Sequence, residues 1–226
     1  MPIILDSSLD PSLYPLAWLV GSWEGSGAVQ LPSDDGEEVG KRIEQTLQIK
    51  PSDSKTLAWQ MRTWVLDVPP PAPPTAAFVE GAEEEAETPQ EGEVERRLLT
   101  EESGYWRVTG PVKEGETEAQ SPHKVELLLS HPEGYCEVYL GEVRGPRIHL
   151  ATDFVARTET GTGPAAAMRM FGLVRGNLMW AYDTSRDDKP LSSYMSVELG
   201  RAADEEEADY EMLGKADLSG DGSSDA

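Results

Sequence analysis

Glycine and tryptophan recur at alternate positions in the segment Gly21 to Gly27, which reads Gly-Ser-Trp-Glu-Gly-Ser-Gly. A period of two is typical of a β-strand, whose successive side chains point to opposite faces. One face of this strand carries almost no side-chain bulk, so another group can approach the backbone closely there. A ligand, a packed aromatic ring or a crossing strand would each satisfy this pattern.

Short alternating runs, separated by turn residues, fill most of the remaining chain. One such run, Val39 to Lys50, carries Ile43, Gln45, Leu47 and Ile49 at alternate positions. The turn Pro51-Ser52-Asp53-Ser54 follows it, and Arg144-Gly145 and Arg175-Gly176-Asn177 are tight-turn signals later in the chain. About ten short strands, preceded by one or two helical turns at 13–20, indicate an all-β protein, either an up-and-down antiparallel barrel or a sandwich.

Two segments interrupt the strand pattern. Residues 69–93 begin with a polyproline run and continue with alanine, glutamate and glycine, a composition that buries too little apolar surface to order itself. We therefore predict a disordered insertion within a hairpin loop. Residues 202–226 are acidic and then rich in glycine and serine, which predicts a disordered tail. The prediction is one barrel domain over 1–201.

The net charge of −23 limits the partners of this chain. Most of the excess acid lies in 80–102 and 204–226, which we expect to be solvated segments outside the folded part. Neither nucleic acid nor an anionic membrane surface is expected to bind such a chain. Cys136 is the single cysteine, and the N-terminus lacks a basic region, so we predict a cytoplasmic protein without a signal peptide.

The segment 21–27 also carries a family resemblance. Gly21, Trp23, Gly25 and Gly27 match in full the Gly-x-Trp-x-Gly-x-Gly signature of the nitrobindin family, which the sequence resembles over roughly 13–68 and 94–201. Further matches follow in the family's order. They are Gly104-Tyr105-Trp106-Arg107, the hairpin His131-Pro132-Glu133-Gly134 with Glu137 and Tyr139, Arg147 to Leu150 with Val155 to Thr158, and Pro190-Leu191.

The resemblance implies a barrel similar to fatty-acid-binding proteins and lipocalins that holds heme b. It also implies nitric-oxide binding, isomerisation of peroxynitrite to nitrate, and a homodimer. In heme-binding members the last strand reads approximately Pro-Leu-x-x-His, and that histidine ligates the iron. Here the segment reads Pro190-Leu191-Ser192-Ser193-Tyr194, so tyrosine occupies the ligand position.

Three functions follow from this departure. The first is a nitrobindin-like barrel without conventional heme ligation, with no cofactor, no metal and no catalytic residue, which binds a small apolar molecule or acts as a scaffold. The second is a heme protein in which Tyr194 or a histidine is the substitute ligand, with the family's peroxynitrite isomerase activity. The third is an interaction module that uses the polyproline run or the acidic tail.

Tyr194 can serve as a ligand only as a tyrosinate, which needs a cation or the iron to stabilise it. The neighbouring sequence offers no evident cation, so we expect Tyr194 to line or plug the cavity. Strict alternation places Tyr194 on the face of Ser196 and Glu198, opposite Met195. Either the interior is polar there or a bulge changes the register.

The other candidate side chains have simpler interpretations. His131, in a turn, and His123, in a loop, are expected to face solvent, whereas His149 lies on a strand face opposite Ile148 and Leu150. No spacing among them is typical of a zinc site.

Cys136 is expected to be a small buried residue. A further set, clustered near the end of the chain, is expected to line or pack the barrel wall. Its members are Met168, Met170, Phe171 and Met179.

Overall fold

The computed structural model describes residues 9–33, 37–68, 94–111, 122–186 and 189–202. Within these ranges one 3-10 helix, Pro11–Leu19, precedes ten strands. The strands are β1 (Gly21–Pro32), β2 (Glu38–Ser52), β3 (Thr56–Leu66), β4 (Arg96–Pro111), β5 (His123–His131), β6 (Tyr135–Val143), β7 (Arg147–Arg157), β8 (Ala166–Val174), β9 (Asn177–Ser185) and β10 (Ser192–Arg201). The predicted insertion at 69–93 and the tail from 203 lie outside the described residues.

Each strand pairs antiparallel with the next one in sequence, and β10 pairs with β1, so the sheet closes into an up-and-down barrel. This confirms the all-β barrel and excludes the sandwich. The alternation in β2 predicted the inward face correctly. The side chains of Ile43, Gln45, Leu47 and Ile49 are all buried.

The 3-10 helix closes one end of the barrel. Asp10 caps it by accepting a hydrogen bond from the Ser12 backbone N–H at 3.0 Å, as expected of a helix N-cap. Its buried side chains pack into the core; they are Leu13, Leu16, Trp18 and Leu19. Within the described ranges, no helix has the length and apolar character needed to cross a membrane.

The glycines of β1 lie where β1 meets β10. A Cβ atom on Gly25 would lie 2.2 Å from the carbonyl oxygen of Glu198, and one on Gly27 would lie 2.1 Å from that of Ser196. The group that approaches the bare face of β1 is therefore the neighbouring strand β10, rather than a ligand or an aromatic ring. The glycines allow the barrel to close tightly.

Arginine at the end of β10 secures the same junction. The guanidinium of Arg201 lies 3.8 Å from the centroid of the Trp23 ring and donates hydrogen bonds to the carbonyls of Trp18 and Val20. Trp23 is itself buried and donates from its indole nitrogen to the Leu19 carbonyl at 2.8 Å. The helix, β1 and β10 are thus joined at one end of the barrel.

Aromatic side chains fill the middle of the barrel. Trp59 and Trp106 meet edge to face, with ring centroids 6.1 Å apart, and Phe171 lies 5.9 and 5.6 Å from them. Trp180 stacks on Phe171 at 5.7 Å. Such edge-to-face and offset pairs add to the stability gained from burial alone.

One expectation about charge is wrong. Residues 96–102, which we assigned to a solvated acidic segment, belong to β4, and Glu102 is buried inside the barrel. Its carboxylate is tolerated there because it is paired with a buried arginine, Arg169.

Candidate functional site: a buried polar network

Arg169, on β8, lies wholly inside the barrel, with 0% of its surface exposed. It donates from Nη1 and Nη2 to the two oxygens of Glu102 at 2.8 and 2.7 Å, a bidentate pair across the interior. Its Nε donates to the Tyr139 hydroxyl at 3.1 Å. This geometry is the strongest that a guanidinium and a carboxylate adopt, so Arg169 is held rigidly between β4 and β6.

A second carboxylate, that of Glu137 on β6, completes the cluster. Its Oε2 lies 3.0 Å from Nε2 of His131 and 3.4 Å from Nη2 of Arg169. Its Oε1 accepts from the hydroxyls of Tyr139 at 2.8 Å and Tyr182 at 3.3 Å. We call this set the Arg169 network; its members are Arg169, Glu102, Glu137, His131, Tyr139 and Tyr182.

The protonation of the network follows from these contacts. Burial alone would raise the pKa of Glu137, but the hydrogen bond from His131 and the charge of Arg169 outweigh it and lower that pKa. Burial alone would lower the pKa of Arg169, but the charge of Glu102 raises it well above its ordinary value. Both groups are therefore ionised at neutral pH, and His131 donates from Nε2 to a carboxylate that can only accept.

Aromatic rings surround the buried cation. The guanidinium carbon of Arg169 lies 4.3 Å from the ring centroid of Tyr182, 5.2 Å from that of Tyr139 and 5.5 Å from that of Trp180. Burial raises the pKa of Tyr182 although the Arg169 charge acts in the opposite sense. The phenols stay neutral and provide both hydrogen bonds and cation–π contacts.

Acidification is expected to destabilise the barrel through Glu137. A carboxyl whose pKa is lowered by folding contributes stability above its unfolded pKa of about 4.3, and this contribution is lost as the pH falls through the lower folded value. Urea unfolding from about pH 7 to about pH 3 should show the free energy of unfolding falling with pH. Glu137→Gln should flatten that slope; an unchanged slope would contradict this role for Glu137.

Tyr194 lies at a β-bulge in β10, between Ser193 and Met195. The bulge resolves the alternation problem, because Met195, Val197 and Leu199 face the core while Tyr194 packs against its edge. The interior position expected for Tyr194 is therefore only partly correct. Its ring meets Tyr182 edge to face at 5.7 Å.

The expectation that Tyr194 lacks a cation nearby is wrong. The guanidinium of Arg186, which follows β9, lies 4.9 Å from the centroid of the Tyr194 ring. Burial nevertheless raises the pKa of Tyr194, although Arg186 acts to lower it. Tyr194 is therefore a neutral phenol at neutral pH.

The two parts of the predicted site do not come together. Trp23 pairs with Arg201 at one end of β10, whereas Tyr194 lies near the other end, beyond the pairing of Val29 with Met195. Gly25 and Gly27 contribute to the junction between β1 and β10, as described above, and a Cβ on Gly21 would meet the guanidinium of Arg201.

The histidines differ from expectation at two positions. His131 is only 7% exposed, because its ring stacks on Tyr135 at 4.0 Å and bonds to Glu137. Its Nδ1 is buried and has no hydrogen-bond partner among the residues that the structure describes. His123 begins β5 instead of lying in a loop, and His149 faces solvent, as its alternation with Ile148 predicts.

Two further side-chain expectations are wrong. Cys136 is exposed, because it alternates with the inward-facing Glu137. Met168, Met170 and Met179 lie on the outer face of the barrel, and only Phe171 of that set points into the core.

Sequence reasoning missed three buried members of the network, which are Arg169, Glu102 and Tyr182. One signal was present for Arg169. It stands midway between Ala167 and Phe171 on a single face of a strand, and a lone arginine on an inward face is unusual unless it has a partner.

The fold and the site define a small up-and-down β-barrel whose interior is packed. The THAP4-like, heme-binding beta-barrel domain family matches residues 12–201. The ferric nitrobindin-like protein of Beutenbergia cavernae is 37% identical over 226 residues, covering 90% of this chain and all of that relative. The peroxynitrite isomerase of Paenarthrobacter aurescens is 28% identical, covering 90% of this chain and all of that relative.

A solved structure has the same fold. The crystal structure of Rv2717c from M. tuberculosis aligns with a TM-score of 0.59 at 22% identity, covering 87% of this chain and all of that one. The chain belongs to the nitrobindin family of THAP4-like β-barrel proteins.

Proposed function

We propose that this protein is a nitrobindin-family barrel that does not hold ferric heme through position 194 and that acts as a binding or scaffold protein. The observation that carries the proposal is Tyr194 itself. Its neutral phenol is packed between the Tyr182 ring and the Arg186 guanidinium. These residues do not fit the family's mode of iron ligation, since a phenol must lose its proton to become a strong ligand.

The barrel interior supports the same proposal. Four aromatic rings pack against one another in its middle, and the Arg169 network adjoins them through Trp180. A flat apolar macrocycle at this level would displace ion pairs that are fully buried, a costly change. For the same reason the interior gives little support to a small apolar ligand, which stays a prediction from the sequence.

A second candidate function rests on His131. Its Nδ1 is buried without a partner among the described side chains, while its Nε2 is fixed by Glu137. Metal-ligating histidines are commonly held in this way, with the far nitrogen bonded to a carboxylate. If heme entered the barrel, His131 would be its ligand. The bound heme would then supply the isomerisation of peroxynitrite for which the relatives are named.

Hemin titration of the purified protein distinguishes these functions. We expect no Soret band of one-to-one stoichiometry for the native chain. A band that His131→Ala abolishes would favour the second candidate, and one that Tyr194→Phe abolishes would show ligation at position 194. The matched gain-of-ligand variant is Tyr194→His. A band gained there would mean that the ligand residue alone prevents binding, and no gain would mean that the packed interior also excludes heme.

A further inference from the structure

The outer face of the barrel carries an apolar groove of about 850 Å³ across β7 to β10 and β1. Met170 and Met179 line it and are 45% and 41% exposed. Small residues lie beside them, including Ala28, Ala181 and Gly172. Outward positions of a barrel in water are normally polar, so methionines flanked by small residues on this face are typical of a surface that binds another chain.

The edge of this groove is basic. Arg42 and Arg147 line it, and neither forms an ion pair with any residue that the structure describes. The acid at the same groove, Glu198, is already engaged, since it accepts a hydrogen bond from Asn177 at 2.7 Å. In a chain of net charge −23, two unpaired arginines beside methionines favour an occupant that is both acidic and apolar.

One segment of this chain has that composition. Residues 203–226 carry nine acidic residues and one lysine, and the acids of 204–209 run directly into Tyr210-Glu211-Met212-Leu213. The segment continues from Ala202, immediately after β10, and β10 forms part of the groove through Ser196, Val197 and Glu198.

The distances permit an intramolecular contact. At about 3.3 Å per residue, Val197 lies about 17 Å back along β10 from Ala202. The eight residues from Ala202 to Tyr210 reach about 26 Å when extended. Glu207 and Asp209, which extend about 17 and 23 Å from Ala202, can therefore meet the groove's arginines while Tyr210, Met212 and Leu213 reach its methionines.

We infer that residues 203–213 bind back onto the outer groove of their own barrel, with the acids beside Arg42 and Arg147 and the apolar residues on Met170 and Met179. The groove is thereby covered in the free protein, and a second copy of the chain or another partner can reach it only by displacing this segment. Because ion pairs contribute to the contact, high salt weakens it.

Methyl NMR of the full chain, labelled on its methionine methyl groups, tests this inference. The tail variant Tyr210→Ser/Met212→Ser/Leu213→Ser changes no groove residue, so any shift at Met170 and Met179 reports lost contact. We expect both methyl resonances to shift, and Glu207→Gln/Asp209→Asn to shift them in the same direction. The matched control variant, Leu218→Ser, should leave both resonances in place. The methyl resonance of Met168, which faces outward but does not line the groove, should stay unchanged in every variant.

Two results would overturn the inference. Unchanged Met170 and Met179 resonances in both tail variants would show that the segment does not bind the groove. Shifts that depend on protein concentration in the native chain would assign the groove to a second copy instead. Addition of about 1 M salt, which shortens the Debye length to about 3 Å, should move the native resonances toward those of the tail variants; no movement would remove the electrostatic part of the inference.

Discussion

Replacing Arg169 by methionine is expected to lower the free energy of unfolding by about 3–5 kcal/mol. The guanidinium is wholly buried and balances the carboxylates of Glu102 and Glu137. Methionine fills similar space but leaves Glu102 without its cation and Glu137 with only the hydrogen bonds from His131 and the tyrosines. Each acid must then remain as a poorly compensated charge or take up a proton. Urea unfolding at neutral pH measures the loss.

Two further variants separate charge from packing. Arg62→Met breaks a surface pair with Glu101, whose atoms lie 2.6 Å apart, and should cost about 1 kcal/mol or less. Arg169→Met/Glu102→Met removes one of the orphaned acids and should recover part of the loss, since buried ion pairs can often be replaced by apolar groups. If Arg169→Met cost no more than Arg62→Met, the network would not stabilise the barrel.

The fold could be predicted from sequence because it depends on local patterns. The alternation of Ile43 to Ile49 has the strand period, and turn residues such as Arg175-Gly176-Asn177 mark the hairpins. Each strand pairs with its neighbour in sequence, and only the pairing of β10 with β1 that closes the barrel is long-range. The bare face of Gly21 to Gly27 predicted that another group approaches the backbone closely, although the sequence did not show which group.

The network could not be predicted in the same way because its central ion pair, Arg169 with Glu102, joins strands far apart in sequence. In β8 the usual pattern is reversed, with Met168 and Met170 outside and Arg169 inside. Hydropathy alone therefore indicates the wrong face. Glu102 follows an acidic run, so composition placed it in solvent, and only its partner 67 positions later explains its burial.

Tyr194 illustrates the same limit at a single position. Its proximity to Tyr182 and Arg186 arises from a bulge that no residue type requires. The family resemblance drew attention to position 194, whereas the neutral state of its phenol follows from burial, which only the folded chain defines.

Substituting Gly27 by alanine is expected to weaken the junction between β1 and β10 by about 1–3 kcal/mol, the usual cost of adding a methyl group where there is no room. The new Cβ would lie 2.1 Å from the Ser196 carbonyl oxygen and 2.9 Å from the Val197 Cα. Both are backbone atoms, so no side-chain rotation relieves the overlap and the strands must separate. Amide hydrogen exchange should accelerate in β1 and β10 before it does in β4 to β6.

The matched control lies at the same junction. A Cβ on Gly200 would find its nearest atom, the Glu24 carbonyl oxygen, at 4.0 Å, so Gly200→Ala should leave stability unchanged or slightly raised. Urea unfolding of the two variants compares the same chemical change with and without steric overlap. Equal stabilities would mean that Gly27 is not needed for the approach of β10, and the glycine strand would again require a ligand or another group to explain its bare face.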